Sequence, residues 1–248
     1  MQIEKITLKT HVFHALKICK YEFLMSRILL IIVCIIAFIN ILLLSVDKNA
    51  PTFIILIAMQ YFAFIVCSIA YLLSAAISFY QGVFGRNAYL THSLPISLET
   101  IICSKILIYF LWFLVIFISF IFAVYAGIDK TSFKHSLIYF LNADNEGAWN
   151  FVLHATTLTL LTALEEIIFI FMVVALVHRI KTYTLLIGIL TYFGIKTLLL
   201  IAGSVLQGFL PDTMDTSDLL TRYYLCQLLL IALFYFVCHR IIKYKLSL

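Results

Sequence analysis

Charge is what this sequence has least of. Only 12% of its 248 residues are Asp, Glu, Lys or Arg, where a soluble domain carries roughly 25%. That scarcity excludes a surface that faces water all round, and with it a soluble domain large enough for catalysis in water. No C-x-x-C pair occurs among the six cysteines, Cys19, Cys34, Cys67, Cys103, Cys226 and Cys238. None falls in a segment that reads as external, so a disulfide framework is excluded and they read as apolar space-fillers in or near a bilayer. No G-x-x-x-x-G-K-[ST] occurs among the eight glycines, so the chain cannot cradle ATP phosphates in a P-loop of its own. Internal repeats and low-complexity segments are missing. The seven histidines are scattered, and only His11 and His14 are close enough to share a helix face. No carboxylate or cysteine joins them at metal-ligand spacing.

What is present is apolar. Hydrophobic residues make up 64% of the chain, in several nearly uncharged stretches of about 20 residues, the length that crosses a hydrocarbon core of roughly 30 Å. In lipid every backbone N–H and C=O must be paired internally, so such stretches are helices or barrel strands. Barrel strands are short and alternate apolar with polar residues, whereas these runs are continuous. The expected fold is therefore all-α and polytopic, with six transmembrane helices at about 28–46, 52–79, 101–125, 151–177, 182–206 and 223–238. Residues 1–27 hold Lys5, Lys9, Lys17, Lys20 and Arg27, with Val12, Leu16, Cys19 and Phe23 at helical spacing. That pattern reads as an amphipathic helix on the cytoplasmic membrane surface. The first span is too long for a signal-peptide core and no small-residue cleavage site follows it, so it reads as uncleaved. With both termini inside, twelve Lys/Arg lie in inner segments, counting Lys105 at the mouth of the third span, and four lie outside: Lys48, Lys130, Lys134 and Arg222. The positive-inside rule selects that orientation, in a cell membrane crossed several times. A net charge of +5 is modest, and it orients the chain in the bilayer rather than binding nucleic acid.

The inner segment between the second and third spans reads Phe79-Tyr80-Gln81-Gly82-Val83-Phe84-Gly85-Arg86-Asn87-Ala88-Tyr89-Leu90-Thr91-His92-Ser93-Leu94-Pro95. Gly82 and Gly85 permit turns, and Pro95 ends any short helix before it. Phe84, Tyr89, Leu90 and Leu94 are too apolar for a solvated loop and need cover from headgroups or a partner protein. This stretch, followed by Ser104-Lys105 at the next span, resembles the permease subunits of type-2 ABC exporters from Gram-positive bacteria. Their loop reads roughly F-G-x-E-G-Y-L-T-x-x-L-P before a span opening with S-K. Here Asn87 and Ala88 stand where Glu-Gly is usual. The motif covers under a tenth of the chain, and the six-span layout extends the likeness less specifically over its length. The resemblance implies a permease that pairs with a second copy or a paralogue and with two cytoplasmic ABC ATPase subunits, which hold the ATP and Mg. It also implies that Phe84, Gly85, Arg86, Tyr89, Leu90, Leu94 and Pro95 form a coupling helix seated in the ATPase. In size and loop motif the chain is similar to permeases that export antimicrobial or amphipathic peptides, including phenol-soluble modulins. The implied function is ATP-driven export across the membrane, with no covalent chemistry on this chain.

Three charges interrupt the spans. Glu165 lies 12 residues from the inner end of the fourth span and Lys196 lies 14 from the inner end of the fifth, depths of roughly 18 and 21 Å. A charge at the bilayer centre costs roughly 2.5–3.5 kcal/mol on insertion scales, and pairing is the cheapest relief. A contact of Lys196 with Glu165 or with Glu166 is expected. Since the two glutamates point about 100° apart on a helix, the other carboxylate is expected to face elsewhere, at a dimer seam or a polar cavity. The pair also raises a rival: intramembrane proteases of the prenyl-protein-processing type carry E-E-x-x-x-R with later catalytic histidines. Here Ile170 occupies the arginine position, His154 precedes the pair, and no histidine is followed four residues on by Asn or Asp.

Overall fold

Helices follow the apolar runs because, away from water, a backbone amide has only other backbone groups to bond. The computed structural model describes residues 20, 23, 26–45, 51–85, 97–127, 146–178, 184–208 and 216–246, and within them it holds no strand. The elements are α1 Arg27–Ser45, α2 Pro51–Val83, α3 Leu98–Gly127, α4 Glu146–Val177, α5 Thr184–Gly208 and α6 Thr216–Leu246. Five of them, α2 to α6, contain stretches long and apolar enough to cross a membrane. The 19 residues of α1 coincide with the first expected span, and its apolar stretch among the described side chains runs Leu29–Leu42. Large apolar side chains lie on the outside of the chain, with Leu200 73% and Phe62 69% exposed. These are the lengths and surfaces of a multi-pass membrane protein.

Several helices outrun the spans expected from hydropathy. The second continues to Val83 rather than ending at residue 79, so Gly82 lies inside the helix and makes no turn. Phe79 and Val83, buried on either side of it, hold the helix there. The sixth runs 31 residues, Thr216–Leu246, instead of 223–238. Its C-terminal end stays helical where the side chains turn polar: Arg240 donates to Tyr244 Oη at 2.8 Å and lies over its ring, an i,i+4 pair on one helix face.

The described chain forms two units, residues 1–74 with 100–160, and residues 75–99 with 161–248. In the first, buried positions on α1 recur as Leu29, Ile36, Ile39 and Asn40, and on α2 as Phe53, Gln60 and Cys67, one every seven residues, a single helical stripe. Ile39 and Phe53 pack with Leu56, Ile57 and Ala63. α2 and α3 are joined by a reciprocal clasp: Tyr71 Oη donates to the Tyr109 carbonyl at 3.0 Å, and Tyr109 Oη donates to the Ser74 carbonyl at 2.9 Å. Two amides sit in this interior. Asn40 Nδ2 donates to the Ser119 carbonyl at 3.3 Å, while Gln60, 5% exposed, has no hydrogen-bond partner for either amide atom.

The amphipathic helix expected over residues 1–27 lies mostly outside the described residues, Val12, Leu16 and Cys19 included. Two of its residues are tied to α3. The ring of Phe23 stacks on Trp112 at 5.2 Å, and buried Ser26 accepts from Trp112 Nε1 at 2.7 Å while donating to the Phe23 carbonyl at 2.9 Å.

In the second unit α4 is the central helix. Seven consecutive residues, Ile167 to Val173, are buried, and a helix apolar all round is stable only when enclosed. Phe171 stacks on Phe79 of α2 at 4.2 Å, and Phe169 meets Tyr192 of α5 at 5.3 Å and Phe234 of α6 at 5.0 Å.

Candidate functional site

Three helices of the second unit bring polar groups to one place in this apolar surrounding. Glu165 and Glu166 come from α4, Tyr192 and Lys196 from one face of α5, and Gln227 from α6. Lys196 Nζ lies 3.2 Å from Glu165 Oε1 and 2.5 Å from Glu166 Oε1. Gln227 Nε2 donates to Glu165 Oε2 at 2.6 Å, and Tyr192 Oη donates to Glu166 Oε2 at 3.1 Å. Each of the four carboxylate oxygens thus has one polar partner. The Lys196 ammonium also lies 4.8 Å from the centre of the Phe169 ring, within cation–π range.

The structure therefore brings Glu165, Glu166 and Lys196 together, which corrects the expectation that one carboxylate turns away. Two helix positions 100° apart still reach one ammonium because the four-carbon lysine stem places Nζ between them. Tyr192 and Gln227 were not singled out from the sequence, although each left a signal. Tyr192 stands four residues before Lys196, hence on the same face, and Gln227 is a polar residue within an apolar span.

Glu165 is almost wholly buried, while the side chains of Glu166 and Lys196 keep 33% and 26% of their surface. Beside the cluster opens a cleft of about 300 Å³ lined by Glu165, Lys196, Phe193, Thr197, Leu200 and Leu230. Among the described residues no three His, Cys, Asp or Glu side chains converge as a metal site would require.

Of the loop residues, Phe84 and Gly85 are described, whereas Arg86, Tyr89, Leu90, Leu94 and Pro95 lie outside the described residues. The amides of Phe84 and Gly85 both donate to the Tyr80 carbonyl at 2.8 Å, closing the C-terminus of α2. A Cβ on Gly85 would stand 2.8 Å from Gln81 Cα, so this turn requires glycine. Phe84 stacks on the His178 imidazole at 4.1 Å, with the planes 11° apart, and touches Phe79 edge-on at 6.3 Å. His178 follows the last residue of α4, and its Nδ1 is buried without a hydrogen-bond partner. The root of the loop is thereby fixed to the helix that carries Glu165 and Glu166. His178 reads in the sequence only as part of a basic turn, since its stacking partner is 94 residues away.

Compared with known protein families, with curated proteins and with solved structures, the chain matches none.

Proposed function

We propose that this chain is the membrane-spanning permease subunit of a type-2 ABC exporter, moving an amphipathic or antimicrobial peptide out across the cell membrane. In this reading it crosses the membrane six times, with an N-terminal surface helix and both termini cytoplasmic. It works beside a second permease copy or paralogue and two cytoplasmic ATPase subunits that bind ATP and Mg. The observation that carries the reading is the attachment of the motif-bearing loop. Phe84, its first aromatic, is stacked on His178 at the end of α4, and α4 bears the paired carboxylates Glu166 and Glu165 12 and 13 residues back from His178. A push on the loop by a closing ATPase dimer would thus be delivered to the helix that organises α5 and α6. Such a contact biases a two-state arrangement at a distance. The five helices of membrane-spanning length and the lack of a P-loop among eight glycines support the same division of labour.

The test is co-purification. The tagged chain, extracted in mild detergent, should bring an ATPase with it. Tyr89→Glu or Leu94→Glu should release that ATPase while the permease remains membrane-inserted. Purification without an ATPase, or full retention by both variants, would refute the assignment.

A further inference from the structure

The charges in the three-helix cluster do not balance. The cluster formally contains two carboxylates and one ammonium, and its other members, Tyr192 and Gln227, are neutral. Among the described residues of its three helices no further cation faces it. Arg222 precedes Gln227 by five positions, roughly 7.5 Å along the axis and about 140° round it. His154 lies 11 positions before Glu165 and His239 lies 12 after Gln227, each more than about 16 Å along its helix. An uncompensated charge among apolar side chains is costly, so the site is poised for one more positive group. It also has room for the hydrogen bonds: each carboxylate oxygen has one polar partner and can take about two.

The surroundings narrow the choice of ligand. The cleft has charged Glu165 and Lys196 at one side, and Phe193, Thr197, Leu200 and Leu230 as walls. At about 300 Å³ it falls at the small end of ligand pockets, roughly 300–1,000 Å³. A proton would balance the charge and leave the cleft unused. An aliphatic chain alone would fill the cleft and leave the charge.

We propose that the Glu165–Glu166–Lys196 cluster and this cleft form a binding site for a cationic amphiphile, an ammonium or guanidinium group on an aliphatic stem. Glu165 is the carboxylate that lines the cleft, Glu166 supplies the second negative charge, and Lys196 is a tethered competitor for the oxygens of both. Such a group arrives either on a lysine- or arginine-bearing peptide or on an amine-containing lipid. The inference goes beyond the permease reading and needs no ATPase, because binding is measured on this chain alone.

The experiment is thermal denaturation of the purified full chain in maltoside micelles, titrated with decylamine, decanol or decyl sulfate. Decylamine should stabilise saturably, with an apparent affinity at least ten-fold above that of decanol. Glu166→Gln should weaken decylamine at least ten-fold. Lys196→Met should tighten it about ten-fold, since the internal competitor is gone. A charge clasp with only a structural role would not move the two variants in opposite directions. Leu200→Trp, at an outward position, should weaken decylamine without changing charge. If Lys196→Met does not fold unaided, decylamine should restore its folding and decanol should not. Displacement of decylamine by a lysine-bearing amphipathic peptide or by an aminoacylated phospholipid names the source, and either supports the site. Equal stabilisation by decanol, or unchanged decylamine binding in Glu166→Gln, overturns it.

Discussion

Lys196 is shared between two carboxylates, and that sharing determines what its loss does. Removing one partner of a buried ion pair costs roughly 3–5 kcal/mol, while replacing both sides can be nearly neutral. Since the cluster is partly exposed, Lys196→Met should cost about 3 kcal/mol, the low end of that range. Adding Glu165→Gln or Glu166→Gln should each return only part of the loss, and the triple variant should return most of it. Full recovery by one double variant, read from thermal midpoints in detergent, would mean that only one glutamate pairs. Gln60 offers the opposite sign. Both its amide atoms are buried and unpartnered, a desolvation penalty of about 1–3 kcal/mol, so Gln60→Leu should raise the thermal midpoint. An unchanged or lower midpoint would mean that the amide has a partner after all. The meeting of Glu165 with Lys196 was legible because depth along a helix is simple arithmetic. The convergence of both glutamates was not, because angular position on a helix ignores how far a flexible stem can swing. Gln227 carries no charge, so the depth argument does not reach it.

Elements were legible in position and less so in their ends. Hydropathy marks where the bilayer stops, whereas a helix stops where its backbone hydrogen bonds stop. The two limits differ most in α6, which extends by seven residues before its expected start and eight beyond its expected end. At the end of α2 the limit is set by Gly85 and not by Gly82. Both read as turn formers in the sequence, but Gly82 lies within the helix, whereas at Gly85 the backbone comes so near that of Gln81 that a Cβ would collide. Gly85→Ala should therefore cost roughly 1–3 kcal/mol through local overpacking. It should also open the stack of Phe84 on His178, making the segment after residue 84 more sensitive to limited proteolysis. Unaltered stability and cleavage would mean that the turn relaxes freely.

For the whole molecule the strongest sequence signal was orientation, which rests on twelve inner against four outer basic residues. Single cysteines placed at Asp144 or Asp215 in a cysteine-free background should react with an impermeant maleimide on intact cells, and one at Arg86 should not. Labelling at position 86 would reverse the assignment. The junction of Phe23 and Ser26 with Trp112 has a further, spectroscopic consequence. The chain has two tryptophans, and the indole of Trp112 is 4% exposed with its N–H bound to Ser26. In a Trp149→Phe background Trp112 becomes a native fluorophore whose emission reports whether the N-terminal segment is seated. Ser26→Ala frees the indole N–H and should shift the emission maximum, whereas a substitution at exposed Lys20 should leave it in place. Changes in seating of that segment can then be followed in real time, without attaching a dye.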